Sequence, residues 1–272
     1  MKWYGILGIL IILFTEINFV LKLQPLAKFY FPIVWFGYIF IIDSLVYKIN
    51  KKSLLTTNKK RFLILLILSA IFWWVFEFIN LFTNNWDYTS SLKLSSSLWA
   101  TISFATVLPA FFETSELLIS MHLFDKVKLH KQHKIKKSLL FGMLLIGIIT
   151  LILPLLFPKI FFPLVWLSLF FLLDPINYMN KQPSVIQHLK DKKLAIPLTL
   201  LLAGIIMGLL WEFWNYYAMV KWTYNVPYVG FLKIFEMPVL GYLGYFPFAL
   251  ELYAMYHFSV FLYRKYYKTI KH

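Results

Sequence analysis

Two sets of acidic residues recur in this chain with the same neighbours, inside stretches that are otherwise apolar. Glu77-Phe78-Ile79-Asn80, then Trp86 and Tyr88, is matched by Glu212-Phe213-Trp214-Asn215, then Trp222 and Tyr224. Pro109-Ala110-Phe111-Phe112-Glu113 is matched by Pro247-Phe248-Ala249-Leu250-Glu251. Upstream, Phe-Pro-Ile-Val-Trp at 31–35 precedes Asp43 and Tyr47, and Phe-Pro-Leu-Val-Trp at 162–166 precedes Asp174 and Tyr178. The offsets drift from 131 to 135 to 138, as expected when insertions fall in loops.

Eight of the 12 acidic residues lie in apolar segments: Glu16, Asp43, Glu77, Glu113, Glu116, Asp174, Glu212 and Glu251. The sequence places no basic residue at comparable depth. A carboxyl group in such surroundings is more easily kept neutral than ionised, which makes it both a hydrogen-bond donor and a source of protons. Glu77, Glu113, Glu212 and Glu251 are therefore the candidate catalytic acids, with Asn80, Asn215, Asp43 and Asp174 as supporting polar groups. Glu and Asn three residues apart share a helix face, so each amide is expected to orient its acid. A proline four residues before Glu113 and Glu251 is expected to kink its helix and free backbone carbonyls at the site. The plainer alternative is that these polar groups only join helices, at roughly 0.6 kcal/mol per bond, and that the Trp and Tyr residues form an interfacial belt.

The elements that must carry these residues follow from composition. Of 272 residues, 60% are hydrophobic and 14% charged, with a mean hydropathy of +0.70, which a water-soluble fold has no means to bury. Spanning hydrocarbon takes about 20 mainly apolar residues in a helix, since every backbone polar group must be bonded within the segment. Eight stretches qualify, at residues 3–21, 29–47, 62–82, 97–124, 139–157, 160–178, 194–218 and 238–263. A tight turn is expected around Pro158-Lys159. The fold expected is an all-α polytopic membrane protein, two tandem parallel four-helix repeats over 1–125 and 139–272 joined by a basic linker over 126–138. The apolar run after Lys2 lacks a small-x-small cleavage site before Lys22 and reads as a retained first span. The punctuated segment 226–240 reads as a re-entrant cap.

Placing both termini in the cytoplasm of a bacterial inner membrane puts 21 of the 27 Lys and Arg on that side. The formal charge of +15 is then topology and attraction to anionic lipids, and nucleic acid is not an expected partner. With no cysteine, disulfides and thiolate chemistry are excluded. His130, His133, His188 and His272 fall in solvated segments, and His122 and His257 late in the fourth and eighth spans. None makes a metal-binding spacing, and no phosphate loop or nucleophile elbow is present, so neither metal nor cofactor is expected.

An acid behind an aromatic, a Trp and a Tyr nine and eleven residues on (Glu77, Trp86, Tyr88), and a Pro-led acidic motif in the next helix together resemble the lycopene cyclase domain of carotenoid synthesis. The likeness covers about 100 residues, the third and fourth segments of each half. It implies that Glu77, Glu113, Glu212 and Glu251 are the functional acids. That family places adjacent acids soon after its proline, whereas Glu113 and Glu251 stand four residues on, and each half here has an extra helix. The expectation is an acid/base enzyme of cyclase or isomerase type acting on an isoprenoid or other hydrophobic small molecule. A proton- or cation-coupled transporter and a non-catalytic assembly factor remain open.

Overall fold

In the computed structural model, residues 1–24, 26–89, 94–130 and 134–270 are described, without the side chains of 94–96 and 267–270. The chain is helical nearly throughout. In order it forms α1 (Trp3–Leu21), α2 (Tyr30–Asn50), α3 (Leu54–Thr57), α4 (Lys59–Thr83), β1 (Trp86–Tyr88), α5 (Leu94–Ala105), α6 (Val107–Ser120) and α7 (Lys137–Leu156). There follow α8 (Pro158–Phe161), α9 (Val165–Met179), α10 (Val185–Lys190), α11 (Ala195–Tyr217), β2 (Trp222–Tyr224), β3 (Lys233–Ile234), β4 (Met237–Pro238) and α12 (Tyr245–Ile270).

Seven helical segments among the described residues are long and apolar enough to cross a membrane. Their outward residues, such as Leu10, Leu13, Leu63, Phe141 and Leu145, are large, apolar and exposed, the inverse of a soluble bundle. The protein is an α-helical membrane protein. The eighth expected stretch, α12, is 26 residues long but lies outside those seven. Glu251, His257 and several tyrosines lower its apolarity, and residues 251–256 are all buried, so protein rather than lipid surrounds that turn. Where one continuous span was expected over 97–124, the helix is interrupted at Thr106 and ends at Ser120. At Pro158 the expected turn is made by Phe157 alone, with the proline in the first position of α8, where its missing N–H is harmless. Segment 226–240 contains a small hairpin, Lys233 opposite Pro238 and Ile234 opposite Met237. Its tip residue Phe235 rests on Phe213 and Tyr216 at the end of α11.

By packing, the chain divides into two compact units, Met1–Met121 with Ile206–Val239, and His122–Ile205 with Leu240–His272. The division expected from the sequence runs through the basic linker 126–138; the packing division falls before it, between Met121 and His122, and cuts the chain again inside α11 at Ile206 and after Val239. In the first unit, α1 and α2 meet backbone to backbone. A Cβ on Gly8 would come within 2.5 Å of the Gly37 carbonyl oxygen, and the Tyr4 hydroxyl and Lys2 N–H reach across to Asp43 and Ser44. Its core is aromatic: Trp35 packs on Trp214 and Trp211, with ring centroids 4.7 and 5.8 Å away. In the second unit, α9 packs on α12 through Trp166 and Phe248.

Candidate functional site

Glu77 stands near the end of α4, one turn after Trp73. Three donors converge on its Oε1: the Trp73 and Trp86 indole N–H groups, each at 3.1 Å, and the Tyr88 hydroxyl. Two of them come from β1, where alternation puts Trp86 and Tyr88 on one face. Asn84, left-handed at φ 49°, ends the helix and sends the chain back past it. Asn80 does not touch the acid. Its amide donates to the Trp86 carbonyl at 2.8 Å and accepts from the Trp86 and Asn85 N–H groups. The expectation that the amide orients Glu77 is corrected: it acts as a one-residue strand partner for β1, and so places the donors that hold the acid.

Asn215 repeats this clamp on Trp222, bonding its carbonyl and its N–H at 2.9 Å each. The Tyr224 hydroxyl donates to Glu212 Oε1 at 2.6 Å, and the Trp222 indole donates to that hydroxyl at 2.7 Å. The strands pair antiparallel, Trp86 with Tyr224 and Tyr88 with Trp222. Directly paired residues share a face, so all four rings lie on one side of the ribbon, the side of the carboxylates. Burial first, and then the Glu77 charge, push the Tyr88 phenol well above its ordinary value, so it keeps its proton and donates it to Glu77.

Glu113 lies on α6, fully buried, with no hydrogen-bond partner for either oxygen among the described residues. The charged groups near enough to act on it are Asp43, Glu116 and Arg61. Arg61 falls just outside the expected span 62–82, and no cation is expected near the acids; it lies instead in the first turn of α4, within electrostatic reach of Glu113. The proline in front of Glu113 does not kink a helix. Pro109 sits in the first turn of α6, where proline is tolerated, and the interruption lies before it. There the Ser69 hydroxyl inserts into the ladder, donating to the Phe104 carbonyl and accepting from the Leu108 N–H at 2.9 Å.

The two aspartates are structural caps. Asp43 accepts from the Leu55 N–H at 2.9 Å, the Ser53 hydroxyl at 2.8 Å and the Tyr4 hydroxyl at 2.6 Å. Asp174, in the second unit, accepts from the Val185 and Ile186 N–H groups at 2.8 and 3.0 Å. Each anchors the start of a short helix, α3 or α10, to a long one. Ser53 and Ser184 cap the same two helices and extend the offset of 131, a signal visible in the sequence and missed.

Also in the second unit, Glu251 is fully buried and its Oε1 accepts from the Leu169 N–H at 2.8 Å, while Oε2 has no partner among the described residues. Pro247 again lies in a first helical turn, that of α12. Gly204 lets the Tyr245 carbonyl approach so closely that a Cβ would stand 2.6 Å from it. His188, expected in solvent, is part-buried and bonded to the Tyr253 hydroxyl at 3.0 Å; burial holds its imidazole below the ordinary value. His122 is corrected too: it falls beyond α6, at the surface, with its Nδ1 hydrogen-bonded to Asp125 at 2.6 Å. His133 and His272 lie outside the described residues.

The first unit therefore holds Asp43, Glu77, Asn80, Glu113, Glu212 and Asn215, and the second holds Asp174 and Glu251. Among the described residues no three His, Asp or Glu side chains group as a metal site. Comparison with known protein families, with curated proteins and with solved structures finds no match.

Proposed function

We propose that this protein is a membrane-embedded acid/base enzyme, a cyclase or isomerase acting on an isoprenoid or other lipid, distantly related to the lycopene cyclase domain. The observation that carries the reading is the presence of two kinds of acid in the first unit. Glu77 is an acceptor held by three donors within an aromatic ribbon, and Glu113 is a fully buried acid with no donor on either oxygen. In this reading Glu113 adds its proton to a carbon–carbon double bond, giving a carbocation. Aromatic faces and the carboxylates of Glu77 and Glu212 stabilise the cation, and one carboxylate removes a neighbouring proton to form the new double bond. Protons balance, and no electron donor or cofactor enters.

The membrane frame proposed with it is eight spans in a bacterial cytoplasmic membrane, with both termini cytoplasmic, built as two tandem parallel repeats. It is supported by the placement of 21 of 27 cations, by the burial of α12 and by the matched clamps of Asn80 and Asn215. Purified protein supplied with polyprenyl and carotenoid substrates tests the chemistry. Glu113→Gln is expected to slow turnover by about 10²-fold or more, and unchanged turnover removes Glu113 as the acid.

A proton- or cation-coupled transporter is the second reading, favoured by Arg61, Asp43 and Glu116 lying near enough to act on Glu113. Proteoliposome uptake driven by a pH gradient and abolished in Glu113→Gln, with no chemical conversion of substrate, selects it.

A further inference from the structure

The chain entering α7 carries positive charge, and the helix beyond it carries a notch. Lys134, Lys136 and Ser138 line one end of a groove of about 450 Å3, and Leu139, Gly142, Met143 and Ile146 continue it. The latter four recur at helical spacing, so they form one face about 10 Å long. At Gly142 an added Cβ would meet nothing within 4 Å, so the notch is open space and not a helix crossing. The volume lies within the range of small-molecule sites.

Charge and polarity along this groove are complementary to one class of molecule. No acidic residue occurs between Asp125 and Asp174, and neither lysine joins an ion pair among the described residues. The first turn of α7 contains no acidic residue, and no side chain caps it. α7 is itself one of the membrane-crossing helices, so its apolar groove meets acyl chains while its start meets headgroups. We propose that the groove binds an anionic phospholipid, with the phosphate between Lys134, Lys136 and the Ser138 hydroxyl and one acyl chain seated over Gly142. The positive rim disfavours a choline headgroup.

The test uses the full-length protein in detergent, titrated with dioleoyl phosphatidylglycerol or dioleoyl phosphatidylcholine, with retained lipid counted by native mass spectrometry. Phosphatidylglycerol is expected to be retained over phosphatidylcholine. The double variant Lys134→Gln, Lys136→Gln is expected to weaken its retention by on the order of tenfold or more. Gly142→Leu, which keeps every charge and has room to fold, is expected to weaken it as well by filling the notch. Lys159→Gln, in α8 just beyond the far end of α7, is expected to behave as wild type. Equal retention of both lipids, or wild-type retention by Gly142→Leu, overturns the proposal. So does displacement of bound phosphatidylglycerol by an equal concentration of glycerol 3-phosphate, which has the headgroup phosphate and no chain.

Discussion

Glu77 and Glu212 occupy matching places ahead of a Trp-x-Tyr strand, yet they are held differently. The Trp86 indole reaches Glu77 directly, whereas the Trp222 indole reaches the Tyr224 hydroxyl, which in turn donates to Glu212. One residue accounts for this: Trp86 is nine positions after its Glu, and Trp222 ten after its own. The Asn clamp survives the insertion, because Asn80 and Asn215 grip backbone atoms, which every residue presents. The indole contact does not survive it, because it depends on where one particular side chain points. Backbone recognition is thus the robust part of this site and side-chain recognition the adjustable part.

The sharpest way to break the comparison is to remove the acceptors. Glu77→Ala strands three donors and is expected to destabilise the first unit by about 3 kcal/mol or more, clearly beyond Glu212→Ala; reversible unfolding in detergent measures both. Equal losses would mean that the convergence on Glu77 has no energetic weight. Asn80→Ala and Asn215→Ala should each remove about 2 kcal/mol. Asn215 loses its two bonds to the Trp222 backbone, and Asn80 loses those to the Trp86 carbonyl and the Asn85 N–H, at 2.8 Å each, while its longer third bond, from the Trp86 N–H at 3.3 Å, adds little. Their near equality is the prediction, and a large inequality in the same unfolding measurement would show that the clamps are not equivalent. Trp86→Phe and Trp222→Phe should differ more subtly. The first removes a donor to Glu77 and is expected to lower stability by about 1 kcal/mol more than the second, and to shift the pH profile of turnover where the second leaves it in place.

The smallest effect lies in the second unit, where His188 provides a contrast in pH dependence. Its folded value lies below its unfolded one, so the unfolded chain binds more protons in the interval between them, and stability rises with pH there. Acidification below about 6.5 is expected to lower the unfolding temperature slightly, and His188→Gln is expected to flatten that part of the curve.

Much of the framework was legible from residue types alone. Runs of about 20 apolar residues marked the long helices, since hydrocarbon admits few other backbones. Matching Glu/Asn pairs and Pro-led acids marked the places where polar groups cluster. What could not be read was partnership. Asn80 had the right spacing to orient Glu77, and its amide faces a strand that the spacing rule does not contain. Pro109 had the spacing of a kink, and the interruption belongs to Ser69, a residue from another helix. Arg61 lies outside the expected span 62–82, and the folded chain brings it within electrostatic reach of Glu113.

By itself, then, the sequence determined a helical membrane protein with carboxylates carried inside it, because hydropathy and helical periodicity are local properties that a linear reading captures. Only the tertiary structure decided which acid is caged and which is left bare. Hydrogen bonds to buried carboxylates are made over a few ångströms by donors up to many residues away, as where the Leu169 N–H reaches Glu251 across 82 positions, and no local pattern specifies them.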